Sequence, residues 1–291
     1  MTRKRVQAIL SDYDGTLVPT ANVKNASTNA IPVELEQILS NISSEIPVSV
    51  ISTKDFEFLK KKTAFARALS CMMGIETLFL TDHPTSRTIE KRILNADPTA
   101  LQLKSAALEE IAEEVIMCKE FSAILIERKH TSDGILAGLT MDWRHQQQLD
   151  DEWSYYRRAI NHFLSGVVAN LNKAPLAMGV YIQKYSEHPF VDIYSIECNK
   201  GVAFDTIISE LGYISIDGKD AMYLGDSEND NPAFRKAGIS IGIRSDARIN
   251  PKLDCSYFLD YERLSHFLMK LRKNNFIFTD ELLMESERYG V

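Results

Sequence analysis

Four clusters of polar residues have types and spacings able to do chemistry together. The first is Asp12-Tyr13-Asp14-Gly15-Thr16. Residues two apart in extended chain project to the same side. This Asp-x-Asp can therefore aim two carboxylates, or one carboxylate and a neighbouring carbonyl, at one small volume. Carboxylates held that close repel unless a cation or a proton lies between them. Gly15 and Thr16 permit a tight turn and offer backbone N–H groups to an anion. The second cluster, Ser52-Thr53, is a hydroxyl pair suited to donating to phosphate. In the third, Lys200-Gly201, a point charge stands at the positive end of an expected helix. The fourth, Gly225-Asp226-Ser227-Glu228-Asn229-Asp230, places two more carboxylates in a glycine-started loop. Hard oxygen ligands with no His or Cys beside them suit Mg²⁺.

The elements that must position these clusters are legible as runs. Val6 to Leu10 and Pro47 to Ile51 are short apolar stretches that read as buried strands, each ending at a cluster. Pro32 to Asn41 and Phe56 to Met73 have helical spacing, and Glu76 to Leu80 reads as a further strand. This βαβαβ rhythm predicts right-handed crossovers and a parallel sheet. The middle reads helix, two strands, helix, two strands: Leu103 to Cys118, Phe121 to Lys129, Ile135 to Trp143, Asp151 to Leu171, Met178 to Tyr185 and Val191 to Ile196. That block predicts an α+β module with an antiparallel sheet. The α/β rhythm then resumes with a helix from Gly201 to Leu211, a strand from Ala221 to Leu224, a helix from Asn231 to Ala237 and a strand from Ile239 to Ile243. The tail, Tyr261 to Tyr289, is predicted helical, with Phe276-Ile277-Phe278 covering a sheet edge or meeting a partner. The fold expected is thus α/β, a Rossmann-like parallel-sheet core of residues 1–82 and 197–291 carrying an inserted α+β domain, 83–196. Every cluster falls after a strand or at a helix start, the edge of an open parallel sheet where ligands bind.

Composition narrows the class. The 291 residues hold 33 basic and 40 acidic side chains, a net charge of −7, which argues against a nucleic-acid partner. Apolar residues at 45% are enough for a sizeable core, and no run is long and apolar enough to span a membrane. The apolar run after the basic start breaks at Ser11-Asp12, unlike a signal peptide. Cys71, Cys118, Cys198 and Cys255 form no Cys-x-x-Cys pair and fit reduced thiols, so a cytoplasmic enzyme is expected.

Asp12-Tyr13-Asp14-Gly15-Thr16-Leu17, Ser52, Lys200 and the Gly225–Asp230 loop, in that order, resemble the haloacid dehalogenase superfamily of aspartate-nucleophile phosphatases. The resemblance implies a Mg²⁺-dependent phosphomonoesterase working through an aspartyl-phosphate, with a small-molecule sugar phosphate as substrate. It makes Asp12 the nucleophile and Asp14 the general acid/base. Ser52 and Lys200 hold the phosphoryl group, with Thr53 and Asn229 beside them. Asp12, Asp14 (through its carbonyl) and Asp226 become metal ligands, supported by Asp230. The inserted block resembles the large cap of the sugar-phosphatase branch. Within that branch, Asp12 to Pro19 (DYDGTLVP) resembles the trehalose-6-phosphate phosphatases. In the inserted block, Glu127-Arg128-Lys129 and Asp142-Trp143-Arg144 resemble that family's Glu-x-Lys and His-Tyr-Arg segments. That likeness implies sugar contacts from Glu127 and Lys129, at alternate positions of one cap strand, from Arg144, and from Asp192, which stands where the family has Glu. Ser52-Thr53-Lys54 and the Gly-Asp-Ser-Glu-Asn-Asp loop look more like the mannosyl-3-phosphoglycerate and sucrose-phosphate phosphatases. A phosphomutase using the same aspartyl-phosphate is the alternative chemistry.

Overall fold

The computed structural model describes residues 3–19, 30–81, 88–122, 124–143, 158–166, 179–185, 190–212, 216–244 and 251–284. The chain separates into two units. One comprises Met1–Thr53, Phe58–Ile93 and Asn199–Val291, and the other Lys54–Glu57 and Leu94–Cys198. The first unit runs past the boundary at 82/83 that the sequence suggests, because an unforeseen strand, Ile89–Leu94, belongs to its sheet.

The first unit is built on short strands. In chain order they are β1 (Arg3–Arg5), β2 (Ala8–Ser11), β3 (Val48–Ile51), β4 (Ala68–Cys71), β5 (Glu76–Leu80) and β6 (Ile89–Leu94). They are basic and exposed at β1, mixed and unburied at β6, and mostly apolar or small-residue between them. Every residue of β2, β3, β4 and β5 is buried, as expected of strands covered on both faces. Helix α1 (Val33–Ser43) buries Leu35, Ile38, Leu39 and Ile42 along one stripe. The predicted helix from Phe56 to Met73 is instead a short helix, α2 (Phe56–Lys62), followed by β4. A four-residue apolar strand lacks the alternation that would separate it from helix, so periodicity could not resolve it. Strand β5 runs antiparallel to β4, against the parallel expectation. Only the four residues 72–75 join the two, far short of the dozen or so residues that a parallel crossover needs.

The second unit holds α3 (Pro98–Met117), β7 (Leu125–His130), β8 (Leu136–Asp142), α4 (158–166), β9 (Tyr181–Lys184) and β10 (Phe190–Tyr194). Its four strands pair antiparallel in the order β7-β8-β10-β9. Alternation splits the sheet into two faces. Leu139, Met141, Val191 and Ile193 pack with Leu108, Ile111, Ala112 and Val115 of α3 and with Ile160 and Leu164 of α4 in one apolar core. Offset by one residue, Gln183, Asp192, Thr140 and Glu127 lie in one cross-strand row, a polar line across the sheet.

The chain then returns to the first unit through α5 (Lys200–Leu211), β11 (Ala221–Gly225), α6 (Asn231–Phe234), β12 (Ile239–Arg244) and β13 (Tyr257–Asp260). The eight-stranded sheet has the order β13-β12-β11-β2-β3-β4-β5-β6, parallel from β13 to β4. The tail departs from the all-helical expectation. Helix α7 (Leu264–Lys273) ends in Asn275 and Phe276 at positive φ, and Ile277–Thr279 forms β14, antiparallel to β1, before α8 (Glu281–Met284). Asn tolerates the left-handed conformation that stops a helix, so the Asn274-Asn275 pair was the legible stop signal. Phe276-Ile277-Phe278 therefore meets the protein's own amino-terminal strand.

Candidate active site

The strand order reverses between β2 and β11: from β2 the chain moves outward through β3, and it comes back to β2's other side as β11. Such a switch point opens a crevice at the carboxyl ends of the two strands, and Asp12 and Asp226 are the residues that follow those ends. Ser11 pairs with Leu224 on one side and Val50 on the other, so Asp12, Gly225 and Ser52 leave three adjacent strands at nearly one level. The Asp12 N–H donates to the Leu224 carbonyl, and the Tyr13 N–H donates to Asp12 Oδ1. Gly15 then turns the chain at φ +82°, and a Cβ there would lie 1.9 Å from Asp226 Oδ2. Only glycine lets the turn come that close.

Lys200, the first residue of α5, is fully buried. Its Nζ lies 2.9 Å from Asp12 Oδ2 and 2.7 Å from Asp230 Oδ1. Burial by itself would lower the lysine pKa, but Asp12 and Asp230 outweigh it and the pKa rises, so the amine stays cationic. Asp230 is held from all sides. The Tyr223 hydroxyl donates to its Oδ1, and its Oδ2 accepts from the Asp226 N–H, the Ser227 N–H and the Ser227 hydroxyl. With its oxygens so occupied, Asp230 orients Lys200 and the loop and is not an open ligand. Thr16 Oγ1 is 3.3 Å from Asp226 Oδ1. The single Ser227 O–H is shared between Asp230 Oδ2 and the Asn229 side-chain oxygen, the latter nearer at 2.9 Å, placing Asn229 inside the loop's own bonding.

Oxygens of Asp12, Asp226 and Asp230 lie within 4.8 Å of one another. Burial, partly opposed by Lys200, pushes Asp12 up to about 7, and burial with Asp12 and Asp230 nearby pushes Asp226 far above the usual carboxylate range. Carboxylates crowded to that degree hold protons unless a second cation joins Lys200. An all-oxygen donor set with a saturated carboxylate behind it fits Mg²⁺, which takes one or two carboxylates and keeps its waters. Asp12, the Asp14 backbone and Asp226 are the groups that would hold it.

Ser52 is buried at the end of β3, its N–H donating to the Ser70 carbonyl, and Thr53 follows it half-buried. Asp14 is half-buried in the turn. Asn199 is a residue that sequence reasoning passed over. Its side chain accepts from the Gly201 and Val202 N–H groups, so these helix-end donors, expected to face an anion, are capped. Asparagine immediately before a helix start was the available signal. Tyr223, two residues before Gly225 in β11, carried no such signal.

In the second unit the expected sugar contacts divide. Lys129 and Asp192, each 1% exposed, form an ion pair at 3.0 Å. Asp192 also accepts from the Thr140 and Tyr185 hydroxyls, and Lys129 Nζ lies 5.4 Å from the centre of the Tyr194 ring. Burial would raise the Asp192 pKa, but Lys129 and the two hydroxyls lower it overall. The geometry thus pairs these two residues with each other and closes them from solvent, contrary to a direct role for both as open sugar ligands. Glu127 is more open and receives Lys54 Nζ at 2.8 and 3.1 Å. Arg144 lies outside the described residues.

No curated protein matches the chain in sequence. Among solved structures it is similar to a trehalose-6-phosphate phosphatase related protein (15% identity, TM-score 0.63, covering 92% of this chain and 98% of that one). The C-terminal domain of the Candida albicans trehalose-6-phosphate phosphatase is similar too (18% identity, TM-score 0.63, 92% of each chain). So is BT1666, a haloalkanoate-superfamily phosphatase of Bacteroides thetaiotaomicron (14% identity, TM-score 0.54, 94% and 96%). At those identities the likeness is one of fold. The family of haloacid dehalogenase-like hydrolases matches residues 9–249, which include Asp12, Ser52, Lys200 and the Asp226–Asp230 loop. The chain is an enzyme of the haloacid dehalogenase-like hydrolase family.

Proposed function

We propose that the protein is a Mg²⁺-dependent sugar-phosphate phosphatase, with trehalose 6-phosphate the preferred substrate. The observation that carries the chemistry is Lys200, buried between Asp12 and Asp230 at the switch point of the sheet. Asp12 attacks phosphorus, forming a P–O bond as the ester P–O bond breaks. Asp14 gives its proton to the departing sugar oxygen. It then takes one from the water that attacks the aspartyl-phosphate and releases inorganic phosphate. Lys200 offsets charge on the equatorial oxygens, and the Ser52 hydroxyl, with Thr53 and Asn229 nearby, orients them. Bound Mg²⁺ supplies the remaining positive charge at that phosphoryl group.

On the sugar side, Glu127 is the carboxylate assigned to hydroxyl groups because it is more open than Asp192, and Lys129 with Asp192 holds the polar row in which it stands. The Gly225–Asp230 loop keeps mannosyl-3-phosphoglycerate and sucrose 6-phosphate as the competing substrates. The test is phosphate release, with Mg²⁺ and with EDTA, from those three, glucose 6-phosphate and an aryl phosphate. Mg²⁺-dependent release from trehalose 6-phosphate well above the rest supports the full reading. A preference for another disaccharide phosphate overturns the substrate and keeps the chemistry. Turnover that needs glucose 1,6-bisphosphate marks a mutase.

A further inference from the structure

Beyond β4 the chain passes through three successive residues at positive φ: Met72 at 50°, Met73 at 61° and Gly74 at 102°. Two of them carry long side chains, and all three are buried. Left-handed backbone is costly for a residue with a Cβ, and buried residues held there persist only where their surroundings over-determine them. A β4–β5 reversal alone does not demand methionine, since glycine or asparagine would turn without that cost.

The turn meets the backbone of Ser52 on one side and, on the other, the first turn of the helix that Lys200 opens. The Met73 N–H donates to the Ser52 carbonyl at 3.0 Å, and the Ser52 N–H donates to the Ser70 carbonyl at 2.9 Å. Both backbone bonds of Ser52 are thus made by β4 and its turn, extending the β3–β4 ladder one step past the strand's end. On its other side, Gly74 sits against Ala203 in the first turn of α5; a Cβ on Gly74 would lie 3.0 Å from the Ala203 Cβ and 3.2 Å from its nitrogen. Lys200 is the residue that opens that helix.

We infer that Met72-Met73-Gly74 is a positioning element that sets the Ser52 hydroxyl and the Lys200 amine at one fixed separation, the separation that grips a phosphoryl group. The inference rests on the phosphatase reading. Met73 and Gly74 are its positioning residues: Met73 acts through its backbone on Ser52, and Gly74 through close contact on α5.

The test pushes the turn away from α5 from either side, with Gly74→Ala and with Ala203→Val, the second serving if the first fails to fold. Leu35→Ala, a core truncation in α1, controls for lost stability. Inorganic phosphate binding in Mg²⁺ is measured by calorimetry, and amide exchange at Ser52 and Met73 is followed in the full chain. Displacement of positioned groups weakens phosphate binding by about tenfold or more and speeds exchange at both amides. Leu35→Ala lowers the melting temperature and leaves phosphate affinity and those two amides unchanged. Wild-type phosphate affinity in either folded turn variant overturns the inference, as does an equal loss in Leu35→Ala. A wild-type protein that neither binds phosphate nor hydrolyses any phosphate ester overturns the phosphatase reading instead. The amide exchange then still decides whether the turn holds Ser52.

Discussion

A carboxylate as deeply buried as Asp12 is ionised only where cations compensate it, and Lys200 at 2.9 Å supplies the first. Asp12→Asn replaces one oxygen with nitrogen at constant size, yet an amide is a far poorer nucleophile. Phosphate release should fall by roughly 10⁴-fold or more. The melting temperature should hold or rise, because one charge leaves a crowded acidic group. Steady-state assays with thermal melts check both, and retention of most turnover sinks the nucleophile assignment. Gly15→Ala is the complementary change. It adds one methyl group 1.9 Å from an Asp226 oxygen at a φ of +82°, so the turn and the Asp226 carboxylate cannot both keep their places. Loss of Mg²⁺-dependent activity in a folded protein is expected; full activity would mean that Asp226 needs no fixed position.

Helix α5 carries the cation of the site, and its first turn is fastened by the Asn199 side chain. Asn199→Ala leaves the Gly201 and Val202 N–H groups without that acceptor, costing about 1 kcal/mol, or roughly 2–4 °C of melting temperature in a chain this size. Because the next residue is Lys200, kcat should fall as well, and Asn199→Ser, another good cap, should restore both. A drop in stability with kcat untouched would show that the helix start does not position Lys200. Much of this was legible: Asp12, Ser52, Lys200 and Asp226 each follow a readable strand or open a readable helix. What was not legible depends on side-chain contacts that only the folded chain makes. Tyr223 matters because it reaches Asp230, and Lys129 and Asp192, 63 residues apart in the chain, are turned toward each other by pairing of β7, β8 and β10. Strand β4 was hidden inside an apparent helix because a buried four-residue run has no period of its own.

At the scale of the molecule the two units carry different kinds of buried charge. The first holds the acidic trio that lacks enough cations, and the second holds Lys129–Asp192, already neutral as a pair. Ligand that binds only the folded state stabilises it by mass action, about 2.7 kcal/mol at a hundred times the dissociation constant. Mg²⁺ should therefore raise the unfolding temperature of the first unit, EDTA should reverse the gain, and Asp226→Asn should remove most of it. Asp192→Asn acts on the other unit: it leaves the Lys129 ammonium buried without its counter-charge, a loss of roughly 3–5 kcal/mol. The pH dependence follows from the lowered pKa of Asp192. Its contribution is present above the ordinary carboxylate pKa of about 3.9 and is lost as pH falls through the lower folded value. The wild-type second unit should thus hold its stability from neutrality down to about pH 4 before this contribution fades, while Asp192→Asn is destabilised throughout. Scanning calorimetry with and without Mg²⁺ resolves the two effects. If Mg²⁺ and Asp192→Asn shift one common transition by amounts that simply add, the units unfold together. If Mg²⁺ shifts nothing, Asp12 and Asp226 do not hold a metal.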